Sequence, residues 1–321
     1  MIPLLLLLVS ADPSGAPAEA RAATLRAQAR SALGGEAALS IVRALSLEGK
    51  FRRQPPPEAG RAAGREARAP RGPFGREAEG ELTMEMALPD KLRREESFAV
   101  GSGPNVTMIV GLDGEHAWMG TEGAAFGGRF GGRGGPDGPG PGGAGVSPED
   151  RKAMEEERRA AMGRRMHAEL TRMLLALLAD PGEGASITYG GQAESPDGRA
   201  DILDVTSAAG AKTRLFLDAT THLPLMLTYQ ETMPARRFRR PPAAGEGAGG
   251  PPPAPAPEAS PTDAAPRTVE STLFLSDHRA VGGVALPHHL SRAVSGNVVE
   301  EWSVTRWRVN PGLKPERFAK Q

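Results

Sequence analysis

Alternation of apolar and polar residues is the dominant signal in this chain, and it is clearest over Ala211–Met233. Thr213, Leu215 and Leu217 alternate with Arg214, Phe216 and Asp218. After a turn around Asp218–His222, Leu223, Leu225, Leu227 and Tyr229 alternate with Pro224, Met226, Thr228 and Gln230. A period of two places one set on each face of a strand, so this stretch predicts a β-hairpin with one apolar face. Glu79–Leu88 repeats the pattern, with Leu82, Met84, Met86 and Leu88 set against Glu81, Thr83 and Glu85. Strands are also expected at Leu45–Arg53, at Lys91–Val100 as a polar strand, and at Asn105–Leu112. Asp113-Gly114 then turns the chain into Glu115–Gly120, a strong hairpin signal. Ala185–Gly191, Arg199–Thr206, Thr268–Ser276, Val284–Val294 and Val298–Val309 extend the meander to about ten strands.

Helical periodicity is sparser. Ala18–Leu33 is alanine-rich with Leu25, Ala29 and Leu33 on one face and is stopped by Gly34-Gly35. Glu36–Ala44 reads as a short second helical piece. Ser147-Pro148-Glu149-Asp150 has the grammar of a helix start, with the helix running to Ala179 before Pro181-Gly182. Its first half is charged all round, while Met162, Met166, Leu170, Met173, Leu174, Leu177 and Leu178 form a stripe on the second. Strands, one long helix and more strands describe an α+β architecture dominated by antiparallel sheet.

Composition sharpens this picture in three places. The 41 glycines and 30 prolines concentrate near 54–75, 121–146 and 235–266, which read as solvated insertions rather than sheet. Zero formal charge and 4% aromatic content speak against nucleic acid as a partner. With no cysteine, disulfides, thiol catalysis and Cys-ligated zinc are excluded. Residues 1–20 read as an export signal: a leucine-rich run at Ile2–Val9 is followed by small residues, with Ala18-Glu19-Ala20 or Val9-Ser10-Ala11 as cleavage sites. The run is too short for a transmembrane segment, so a soluble periplasmic protein is expected, one domain over 21–321.

Chemistry-bearing motifs are scarce. Neither Gly-x-Ser-x-Gly nor His-Glu-x-x-His occurs. Gly138-Pro139-Gly140-Pro141-Gly142-Gly143 fits a dinucleotide spacing only because it lies in a glycine tract with two prolines where a tight turn is needed. The arginine-glycine tract Gly127–Arg133 carries two arginines and reads as linker. Asp277, His278, His288 and His289 lie close in sequence, but adjacent histidines on a strand face opposite ways. No metal, no cofactor and no catalysis are therefore expected. One long amphipathic helix and one weak one are a thin cover for so wide an apolar face. An uncovered remainder would be a cavity for acyl chains, and flexible methionines suit such a pocket. The candidate lining is Met84, Met86, Leu88, Met108, Val110, Trp118, Leu225, Leu227, Leu273, Leu275 and Trp302.

Several short stretches, in consistent order, resemble the LolA/LolB-like lipoprotein-sorting superfamily. They are Leu33-Gly34-Gly35 leading to Leu45-Ser46-Leu47-Glu48-Gly49, Leu88-Pro89-Asp90-Lys91-Leu92-Arg93, and Gly111-Leu112-Asp113-Gly114 with Trp118. Leu217-Asp218 through Leu223-Pro224-Leu225 and Asp277-His278-Arg279 through Gly283-Val284-Ala285-Leu286-Pro287 complete the set. The resemblance, closest to uncharacterised sorting-like members, implies an incomplete β-barrel curled around one long and one or two short helices. It also implies a periplasmic location and a hydrophobic cavity for lipid acyl chains, and the function expected is that of a non-enzymatic, carrier-like protein with lipid or lipoprotein acyl chains as partners. An envelope scaffold or stress-sensor module stays open as the alternative, docking a protein through the Pro-rich segment and Arg236, Arg237, Arg239 and Arg240.

Overall fold

The computed structural model describes residues 8–10, 18–54, 77–99, 105–122, 147–233 and 267–320. Its strands are β1 (Leu8–Ser10), β2 (Ala44–Arg53), β3 (Ala78–Ala87), β4 (Lys91–Ala99), β5 (Asn105–Asp113), β6 (His116–Glu122) and β7 (Ser186–Ser195). β8 (Gly198–Thr206), β9 (Lys212–Asp218), β10 (Pro224–Met233), β11 (Arg267–Val281), β12 (Val284–Val294) and β13 (Asn297–Val309) follow. The helices are α1 (Ala18–Ala32), α2 (Glu36–Leu39) and α3 (Pro148–Leu178).

All the strands pair antiparallel in one sheet of order β1-β7-β8-β9-β10-β11-β12-β13-β2-β3-β4-β5-β6. The sheet does not close, since β1 and β6 are its edges. One face nonetheless wraps a continuous core. Leu45, Leu47 and Phe51 of β2, Met84 and Met86 of β3, and Leu227 and Tyr229 of β10 pack in the same cluster as Leu25 and Ala29 of α1 and Leu170 and Leu177 of α3. This is the α+β antiparallel architecture expected from the alternation, curled and unclosed as the resemblance implies. A second, small cluster occupies the opposite face, where Ile202, Phe216, Met226 and Phe274 meet across β8–β11.

Local chemistry explains where the helices sit. The Ser147 hydroxyl accepts the Asp150 backbone N–H at 3.0 Å, with Pro148 at the first turn, as its N-cap grammar requires. At the far end Ala179 is left-handed, and α1 supplies the missing donors. Arg30 Nη1 donates to the Leu178 carbonyl at 3.0 Å and Arg26 Nε to the Ala179 carbonyl at 3.2 Å, which places positive charge on the negative end of the α3 dipole. The two helices are thus locked together over one part of the sheet. The charged front half of α3 stays exposed, whereas Met166, Leu170, Met173 and Leu174 are buried. No helix among the described residues is long and apolar enough to cross a membrane.

Three features depart from the expected layout. The second helical piece ends at Leu39 rather than Ala44, because the Asn310 side-chain carbonyl accepts the Arg43 and Ala44 N–H groups and draws the chain into β2. β11 runs on past Ser276 to Val281, taking Asp277 in a left-handed conformation. Leu8–Ser10, inside the stretch read as an export signal, pairs with β7. Cleavage after Ala11 would remove this edge strand, and cleavage after Ala20 would also take the start of α1. The Gly- and Pro-rich segments, the tracts Gly127–Arg133 and Gly138–Gly143, and Arg236–Arg240 lie outside the described residues.

Gly34 shows how tightly the α1 exit is built. It has φ of +131°, and a Cβ there would collide with the Gly283 carbonyl oxygen, next to the hydrogen bond from Ala285 N–H to the Leu33 carbonyl. Gly34→Ala is expected to cost about 1–3 kcal/mol from backbone strain alone, read as a lowered urea midpoint at unchanged slope.

Candidate functional site: an amphipathic cavity beneath the long helix

The cover is incomplete. Between the middle of α3 and the inner faces of β4–β6 and β10–β13 lies a cavity of about 530 Å³, inside the range of about 300–1,000 Å³ usual for small-molecule sites. Its apolar wall combines Met108, Val110 and Met119 from β5 and β6 with Leu273, Leu290 and Trp302 from β11–β13. Helix α3 contributes Met162, Met166 and Met173. Five methionines bordering one void give it walls that change shape easily. Met119, 51% exposed, stands at the rim.

Most of the rest of the cavity lining is ionic. The register puts Arg292 of β12 across from Glu300 of β13, and Glu300 across from Arg53 of β2. The register sets Arg53 opposite Ala78 and Glu96 of β4 opposite Leu82, so the arginine crosses β3 diagonally to reach Glu96. Arg53 Nη2 donates to both Glu96 oxygens at 2.7 Å and to Glu300 Oε1 at 3.1 Å. Arg94 bonds Glu300 and pairs with Glu96, and its Nη1 reaches Glu169 of α3 at 3.2 Å. Arg292 lies 3.5 Å from Glu300 and 3.2 Å from Glu231, and Glu231 in turn pairs with Arg165 of α3 at 3.2 Å. Cations and anions alternate along one line across the strands, with Arg94 also 4.8 Å over the Trp302 ring, a cation–π contact.

These neighbours decide the charge states. Burial alone would raise the Glu300 carboxyl, but Arg94, Arg53 and Arg292 outweigh it and hold the group far below the usual carboxylate range. Burial opposes the charge on Arg94 too, and Glu300, Glu96 and Glu169 more than restore it. Burial pushes the Tyr229 hydroxyl up, against the pull of Arg172 and Arg292. A carboxyl held ionised as Glu300 is makes a poor proton donor.

Of the eleven residues expected to line a cavity, Met108, Val110, Leu273 and Trp302 border this one. Met84, Met86, Leu227 and Leu275 are packed into the core. Leu88 lies partly buried against the core beside α2, on a smaller pocket with Leu39 and Val42. Leu225 is 37% exposed on the other face, because the bulge between Pro224 and Met226 breaks the alternation of β10. Trp118 also faces outward, where its Nε1 donates to the Phe318 carbonyl at 2.6 Å. The C-terminal segment that holds it is anchored by the buried Phe318 and by Arg317 bonding Glu85 at 2.7 Å. The charged members were missed, although Arg94 and Glu96 share the parity of Leu92 and Phe98 on β4, a signal that they face inward.

No group of three or more histidine, aspartate or glutamate side chains among the described residues could hold a metal ion. Burial lowers the His278 ring below its ordinary value, and His288 Nδ1 sits 3.1 Å from the Leu286 carbonyl.

No protein-family model and no curated protein matches the chain. Among solved structures it is similar to a LolA superfamily protein from Nitrosomonas europaea, at 11% identity and a TM-score of 0.42, covering 91% of this chain and 97% of that one. It is similar also to a DUF1329 family protein from Desulfovibrio piger, at 10% identity and a TM-score of 0.36, covering 93% and 97%. Both are likenesses of fold.

Proposed function

We propose that this protein is a non-catalytic, exported binding protein or carrier that holds an acyl chain in the cavity beneath α3. The observation that carries the reading is the void itself. With both helices docked and a continuous core formed, about 530 Å³ stays unfilled beside a methionine-rich wall. Placing an acyl chain there would remove apolar surface from water on both partners, at about 25 cal/mol per Å². The ionic side adds register, since a chain entering the cavity lies against the methionines and stops at the line of ion pairs. Release then requires a second apolar surface to receive the chain. Among the described residues the carboxylates of the lining are all held in ion pairs, an arrangement that supports binding over catalysis.

Mass spectrometry of the purified protein, before and after delipidation, tests this. The expected result is co-purifying acyl-chain species lost on delipidation and regained on incubation with lipid. A native sample that is empty and stays empty would overturn the reading and favour a scaffold that docks protein instead.

A further inference from the structure

The charges around the cavity do not balance. Its lining holds five guanidinium groups, from Arg53, Arg94, Arg165, Arg172 and Arg292, against four carboxylates, from Glu96, Glu169, Glu231 and Glu300. Every one of those carboxylates is engaged by Arg53, Arg94, Arg165 or Arg292. Among the described residues no carboxylate stands within ion-pairing distance of Arg172. It lies instead 4.0 Å from the centre of the Tyr229 ring. That cation–π contact holds the side chain in place and leaves its fork of N–H donors available. A fixed, partly desolvated guanidinium at the border of an apolar void matches one type of group best, a planar carboxylate or a phosphate ester.

We infer that the ligand is an anionic amphiphile whose carboxylate or phosphate-ester head docks on Arg172. Its chain lies along Met108, Met166, Met173, Leu273 and Leu290. This deepens the acyl-chain reading and rests on it. Negative charge at Arg172 completes the balance that the described carboxylates of the lining leave open. A cationic head in the same place would oppose Arg172, while the carboxylates of the lining are already engaged by the other arginines, so the site selects by charge as well as by chain.

Calorimetric titration of the delipidated full chain with probes of equal chain length and different head tests this, each below its micelle concentration. The probes are dodecanoate, dodecyl phosphate, the neutral monododecanoyl glycerol and dodecyltrimethylammonium, with acetate and inorganic phosphate as headgroups lacking a chain. Expected is binding of the two anionic amphiphiles at least tenfold tighter than the neutral one, equivalent to about 1.4 kcal/mol. The cation should bind more weakly still, and neither chainless ion should bind. Whichever of dodecanoate and dodecyl phosphate binds tighter identifies the head class. Arg172→Gln should bring the anions down to the neutral probe's affinity while leaving that affinity unchanged. Arg172→Lys, which keeps the charge, should retain part of the preference, and thermal melts confirm that both variants are folded. Equal affinity for anionic and neutral chains in the wild type, or an unchanged preference in Arg172→Gln, overturns the headgroup assignment while the acyl-chain reading stands. Binding of acetate or phosphate alone overturns it in favour of a free-anion site. No binding of any chain-bearing probe overturns both.

Discussion

Glu300→Gln is expected to destabilise the fold by about 3–5 kcal/mol, the usual cost of removing one partner from a buried ion pair. Glu300 is only 4% exposed and faces three arginines, Arg53, Arg94 and Arg292. The amide leaves those guanidiniums crowded together, with Glu96 still paired to Arg53 and Arg94 and Glu231 to Arg292 as the remaining anions on the strands. At about 2–4 °C per kcal/mol for a domain of this size, the melting temperature should fall by roughly 10 °C. Arg94→Gln placed in the same chain should recover part of the loss, because it removes one of the stranded charges. A coupling of about 0.5–3 kcal/mol is the expected range for such neighbours. The pH dependence follows from the same residue. The Glu300 carboxyl is held far below its ordinary value of 4.5 in the folded chain, so its contribution is fully present above that value. It is lost as pH falls below 4.5 toward the folded-state value. Wild-type stability should therefore drop with acid over this window more steeply than that of Glu300→Gln. Parallel acid profiles for the two proteins would show that the ion-pair line does not hold the sheet as described.

Val110→Trp is expected to weaken binding of a dodecanoyl chain at least tenfold, about 1.4 kcal/mol, whereas Leu225→Trp should leave it unchanged. Val110 sits on β5 between Arg94 and Met119 in the register and borders the void. An indole there takes the space the chain needs. Leu225 belongs to the opposite face and is exposed, so the same substitution adds the same bulk where no ligand goes. Overpacking costs about 1–3 kcal/mol, so Met162→Trp, made from the more exposed helix side, serves as a second filling variant. Loss of binding in both filling variants with retention in Leu225→Trp locates the chain in the cavity. Retention in both filling variants would place it elsewhere.

Much of the architecture was legible because sheet formation writes itself locally. Apart from β1 on β7 and β13 on β2, each pairing in this meander joins strands consecutive in the chain, and period-two alternation marks a strand without knowledge of its partner. The α3 start was equally local, being one serine, one proline and two acids. The cavity was legible only in outline. A shortage of helical cover relative to apolar sheet predicts that something stays open, and the apolar stripe of α3 was visible as part of that cover. Which residues border the opening depends on where the helices dock. Arg26 and Arg30 of α1 fasten the C-terminal end of α3 over one part of the sheet, which buries Met84 and Met86 and leaves Met108 and Val110 beside the void. That choice involves residues about 150 positions apart, and no window of sequence contains it. The ion-pair line was hidden for the same reason. Arg94 and Glu300 are separated by 206 positions, so each reads as an ordinary polar residue on a strand. Their shared parity with Leu92, Phe98 and Trp302 was the available sign that they point inward. Leu225 and Trp118 were misplaced by strand detail, a bulge in one case and a C-terminal segment packed on the outer face in the other.

Contact between a bound chain and the cavity wall is directly observable through Trp302, which borders the void. Trp307, by contrast, lies in the core and Trp118 on the outer face. A fatty-acyl probe brominated along its chain quenches tryptophan fluorescence only at close range, so titrating it into the delipidated protein reports occupancy at that wall. The expected result is saturable quenching that largely disappears in Trp302→Phe while persisting in Trp118→Phe. Quenching that is absent, or that survives intact without Trp302, would contradict a chain held beneath α3.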